Sequence, residues 1–122
     1  MNMTIEECYQ ELGGNYAGVS SRIPSNKLIE KFIGKFLDDQ SFETLCTQMQ
    51  TGNRAEAFRA AHTLKGVCAN LNLDRLQESA GRLTEILRAE AAVIPEAADE
   101  VFEEVKKDYE ETVSVIRRYF DK

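Results

Sequence analysis

Apolar residues recur three and four positions apart along almost the whole chain, and its only two prolines, Pro24 and Pro95, fall between the periodic segments. A strand alternates its faces every second residue, so this spacing predicts helices throughout. Thr4 and Glu7 have capping-box spacing before Ile5, Cys8, Tyr9 and Leu12, and Gly13-Gly14 ends that helix. A loose segment bearing Tyr16, Val19 and Ile23 leads to Pro24. Ser25 then caps a wide-faced helix, mostly buried, that carries Leu28, Ile29, Phe32, Ile33, Phe36 and Leu37. Ser41 caps a further short helix with Phe42, Leu45, Cys46 and Met49 inward, and Gly52 takes its left-handed end, so the pair reads as one kinked or broken element.

Asn53 and Glu56 repeat the capping-box spacing, and Phe58, Ala61, Leu64, Cys68 and Leu71 run on to Asn72, a helix of about five turns. The next begins near Leu73 or Asp74 and presents Leu76, Ala80, Leu83 and Leu87. Pro95, suited to a first helical turn, opens the last and longest helix, with Val101, Val105, Tyr109, Ile116 and Phe120 inward. Short connections between long helices favour antiparallel neighbours. The expected fold is therefore all-α, an antiparallel up-down four-helix bundle with an additional N-terminal helix. A chain of 122 residues, 43% hydrophobic and 30% charged, suits one core: a single domain over 1–122, with the bundle at about 25–120 and the N-terminal helical segment at about 4–23.

The net charge of −6 disfavours nucleic acid and anionic lipid as partners and leaves protein. No stretch reaches the roughly 20 apolar residues of a membrane span, and Met1 to Glu7 lacks the basic-then-apolar order of a secretion signal, so a cytoplasmic location is expected. Cys8, Cys46 and Cys68 are odd in number, far apart and set in apolar patterns, as buried reduced thiols would be.

His62 is the sole histidine. At 3.6 residues per turn it points about 150° away from the apolar centre of its helix, toward solvent. Its neighbours on that side are Ala55, Arg59, Gly66 and Ala69, three of them nearly without side chains, so the imidazole is expected to stand clear. Glycine within a helix costs about 1 kcal/mol relative to alanine. At position 66, one turn beyond His62, that cost suggests a need for space. Lys65 and Arg59, three residues to either side of His62, fall within reach of the ring, and residues 54–66 hold Arg54, Arg59 and Lys65 against Glu56 alone. Such a basic face suits a dianionic phosphoryl group, and neutral imidazole is a competent nucleophile near neutral pH. Geometry alone does not separate this from an inert surface histidine.

The run His62-Thr63-Leu64-Lys65-Gly66 resembles the H-x-L-K-G motif of histidine phosphotransfer (HPt) domains. The likeness extends over about residues 12–90, through Gly13-Gly14, the helix of Phe32 to Leu37, Ala60-Ala61-His62 and Asn70-Leu71-Asn72-Leu73. It implies that His62 takes a phosphoryl group on its outer nitrogen, that Lys65 helps to balance the phosphate and that Gly66 keeps access open; helix geometry adds Arg59 as a phosphate-supporting cation and the small Ala69 to the clear approach. Many members have glycine where this chain has Asn72; asparagine is the next-best residue for a left-handed backbone, which is expected here. The resemblance further implies a monomeric carrier in a two-component phosphorelay, not an enzyme. Its partners would be response-regulator receiver domains and a hybrid histidine kinase. It would bind no metal or cofactor of its own, the magnesium belonging to the receiver.

Other readings fit less well. A sensor-kinase dimerisation helix resembles H-[DE]-L-[RK]-T-P, but Thr63 follows His62 and no proline follows within the turn. A carboxylate-bridged metal bundle needs Glu-x-x-His on two helices, and Arg59 occupies the one such position. An interaction module that keeps the bundle and binds a receiver or another signalling protein without phosphotransfer stays open.

Overall fold

The computed structural model describes residues 2–88 and 92–121; Met1, Lys122 and residues 89–91 of the expected domain lie outside them. The described residues form seven helices and no strand: α1 (Ile5–Leu12), α2 (Tyr16–Arg22), α3 (Asn26–Phe36), α4 (Ser41–Thr51), α5 (Arg54–Leu71), α6 (Asp74–Leu87) and α7 (Ala98–Phe120). None is long and apolar enough to cross a membrane.

Local signals set most boundaries. Thr4 and Glu7 form the reciprocal capping box on α1, and Gly13 ends it at φ 66°. Ser25 accepts from the Leu28 N–H, and Gly52 closes α4 at φ 75°. Four boundaries differ from expectation. The segment after Gly14 is helical, because Asn15 accepts from the Gly18 N–H and Val19 is fully buried. Ser41 is the first residue of α4 rather than its cap, and the Asp39 carboxylate accepts from its N–H. Asn53 caps α5, but the Glu56 carboxylate turns to Arg59 instead of completing a box. Pro95 lies in a turn that accepts from the Ala98 N–H, so α7 starts three residues later.

Helices α4 to α7 follow one another as antiparallel neighbours, packed most closely along α5 and α6. Arg82 on α6 pairs with Glu104 on α7 through both guanidinium nitrogens, and Arg75 pairs with Glu111; this descending register identifies α6 and α7 as antiparallel. Helix α1 lies against α7, and α3 covers one side of the bundle. Leu64 and Cys68 from α5, Leu76, Leu83 and Leu87 from α6, Val105 and Ile116 from α7, and Ile29, Ile33 and Phe36 from α3 are all buried in one cluster.

Three residues expected to face inward are exposed. Leu28 and Phe32 are 45% and 37% exposed, because α3 has neighbours on only one side and buries the stripe of Ile29, Ile33 and Phe36. Phe120 is also exposed, while Tyr119 takes the inward place and donates to Glu30 on α3 at 2.6 Å. Cys8 and Cys68 are buried, and loss of solvent pushes the Cys8 thiol up to about 12 and the Cys68 thiol higher still. Cys46 is half-buried.

Leu64→Ala should lower unfolding free energy by about 2–5 kcal/mol in urea titrations, as a buried leucine leaves a cavity. Leu28→Ala should change it by about 0.5 kcal/mol or less, as usual at a surface site. Similar losses at both positions would contradict the assigned core.

Candidate functional site

The site is built on α5, which is held at both ends. Asn53 accepts from the Glu56 N–H at 3.2 Å at the start. At the far end Asn72 turns the chain at φ 53°, the left-handed conformation expected of it. Arg22 on α2 donates there to the Ala69 and Asn70 carbonyls and to the Asn72 side chain, placing a cation at the negative end of the helix dipole. Tyr9 donates to the Leu71 carbonyl at 2.7 Å, and the Asn15 N–H to the Asn72 carbonyl at 3.0 Å.

On a helix so fixed, Ala57, Ala60, Ala61, Leu64, Cys68 and Leu71 face the core, while His62, Thr63 and Gly66 are exposed. The imidazole does not stand clear of its surroundings. The Phe58 ring, one turn before it, stacks on it at 6.0 Å between centroids and 16° between planes, since side chains four apart on a helix lean along one another. The Gly66 side is open: a Cβ placed there meets nothing within 4 Å. Ala69, a further turn on, is half-buried.

Contacts sort the three cations of the basic run. Arg54 donates to the Leu87 carbonyl at 2.6 Å at the end of α6. Arg59 pairs with Glu56, which draws its guanidinium toward the preceding turn and away from His62. Lys65 forms no ion pair among the described residues, and its half-buried stem crosses α6 beside Gly81. Lys65 is thus the cation of the run that remains available near the ring.

Two residues escaped the sequence reading. Arg88, just past α6, sets its guanidinium 5.0 Å from the centroid of Phe58 and pairs with Glu85 at 3.2 Å. The Arg88 hydrogen bonds hold the Glu85 carboxyl below the usual carboxylate range, and the charges of Lys65 and His62 add to the effect. Both could have been found from the two-residue turn between α5 and α6: residues equidistant from it face each other, so Phe58 and His62 must lie opposite the end of α6.

An exposed imidazole on a rigid helix, with a clear approach and a nearby ammonium, can act as a nucleophile toward an anionic electrophile brought by another molecule. A model of the Hpt domain matches residues 28–114, most of the chain and all of α5 and α6. The chain belongs to the Hpt domain family. No curated protein and no solved structure matches it. As an Hpt domain it is a phosphotransfer module of two-component signalling, and such modules are phosphocarriers that interact with receiver domains and kinases.

Gly66 has ordinary helical φ and empty space around it, so the fold itself does not call for glycine there. Gly66→Ala should raise unfolding free energy by up to about 1 kcal/mol in urea titrations. A loss of stability would show that the Hpt scaffold, and not access to His62, requires the glycine.

Proposed function

We propose that His62 is the phosphoacceptor of a phosphorelay, taking a phosphoryl group from a receiver-domain aspartate or giving one back. The observation that carries this reading is the exposed imidazole on the outer face of α5 with open space one turn along at Gly66. The outer ring nitrogen attacks the phosphorus of the aspartyl phosphate. The bond from phosphorus to the carboxylate oxygen breaks, the carboxylate leaves with its electrons, and a phosphorus–nitrogen bond forms. Lys65 offsets charge on the transferred group in the transition state and on the product. Arg59 can assist only by leaving Glu56, and the small Ala69 extends the clear approach.

In this reading the protein is a carrier and no enzyme. The receiver supplies the aspartate and the magnesium that it needs, and a hybrid histidine kinase is a further partner. Residues 1–122 act as one domain and as a cytoplasmic monomer. The α5 anchors support the assignment, because a nucleophile that must enter another protein's active site gains from being positioned in advance.

Incubation with a radiolabelled phosphorylated receiver and magnesium should leave acid-labile, base-stable label on the wild type and none on His62→Gln. Absence of label from every receiver tried would favour a module that binds without transfer. Gly66→Gln should slow transfer while keeping the helical circular dichroism spectrum, because its side chain crosses the approach to the ring. Unchanged rates would remove the steric role of Gly66. Lys65→Ala should weaken transfer about two- to fivefold and not abolish it, as suits a partly exposed charge.

A further inference from the structure

The α5–α6 turn consists of Asn72 and Leu73 alone, so the two helices run antiparallel in a defined register. Lys65 lies beside Gly81, and Phe58 beneath Arg88. Between these contacts, Glu85 falls opposite His62. Gly81, Glu85 and Arg88 are spaced by four and three residues and share one face of α6, toward the phosphoacceptor helix. Beside His62 there is thus a carboxylate, with an arginine held to it and seated on the ring that stacks against the imidazole.

We propose that Glu85 and Arg88 form a counter-ion pair that exchanges when His62 is phosphorylated: Arg88 leaves Glu85 for the phosphoryl group, and Glu85 then repels that group and keeps the phosphohistidine labile. The proposal rests on His62 being the phosphoacceptor. A phosphoryl group carries nearly two negative charges and three acceptor oxygens against one charge and two oxygens on Glu85, so a guanidinium within reach of both prefers the phosphoryl. The Arg88 guanidinium lies 5.0 Å from the centroid of the Phe58 ring, and that ring stacks on the imidazole at 6.0 Å between centroids, so the exchange needs a rotation of the long arginine side chain past Phe58 and no movement of either helix. The pair is exposed at both ends, 53% for Arg88 and 62% for Glu85, so little desolvation resists the exchange. The lowered Glu85 carboxyl, to which His62 and Lys65 both contribute, agrees with this placement.

A small phosphoryl donor tests this without a receiver. With phosphoramidate, the phosphorus–nitrogen bond of the reagent breaks, ammonia leaves, and a new phosphorus–nitrogen bond forms on His62. Intact mass and phosphorus NMR should show one phosphoryl group on the wild type and none on His62→Gln; equal labelling of both would defeat the assignment of His62 itself. Given labelling at His62, the half-life of the phosphohistidine after removal of the reagent reads the exchange. Glu85→Gln should lengthen it and Arg88→Gln shorten it, each about two- to fivefold, the size expected of exposed charge pairs. Arg88→Lys should restore part of the lost half-life. The side-chain NMR signal of Arg88 should shift on phosphorylation in the wild type, a change that a merely structural arginine would not show. Unaltered half-lives in folded Glu85→Gln and Arg88→Gln, or shifts of both in one direction, would overturn the exchange while leaving His62 as acceptor.

Discussion

The reversal of the chain at Asn72 and Leu73 is the constraint on which the site depends. Because Asn72 adopts a left-handed conformation, only two residues separate α5 from α6, which folds straight back along it. The same turn gathers the N-terminal segment. Asn15 and Arg22 bond to Asn72, Tyr9 bonds to the Leu71 carbonyl just before it, and Gly14 and Gly18 approach so closely that a Cβ at either would fall within 3.0 Å of Asn72. Helices α1 and α2 therefore cap α5, the helix of His62, as well as adding to the core. Their bonds occupy carbonyls that a helix end otherwise leaves open.

That arrangement also sorts the charges around His62 on an acidic protein. Most cations near α5 are already engaged: Arg22 at its C-terminal end and Arg54 on the end of α6 join helices, and Arg59 pairs with Glu56 within α5. Lys65 is left beside the ring, and Arg88 is held nearby by a carboxylate and an aromatic face. The imidazole is covered by Phe58 on one side and open toward Gly66 on the other.

Much of the fold was legible because its signals are local. The Thr4–Glu7 box, the Ser25 and Asn53 caps, and the left-handed ends at Gly13, Gly52 and Asn72 depend on residues within a turn of each other. Helix α2 was hidden because seven residues with a glycine and two serines have weak helix propensity. Burial of Val19 and the Asn15 cap stabilise it, and the first of these needs the rest of the protein. Leu28, Phe32 and Phe120 were placed inward because periodicity reports which residues are apolar and not how many neighbours surround the helix.

The sequence by itself determined the helices other than α2, the outward direction of His62 and the empty space at Gly66, since each follows from 3.6 residues per turn and the sizes of side chains four positions apart. Only the tertiary structure decided which charges act there. Ion pairs and ring contacts depend on which helices meet and in what register. Assembly therefore turned Arg59 toward Glu56, laid Phe58 against the imidazole and brought Glu85 and Arg88, more than twenty positions away in the chain, to the neighbourhood of His62.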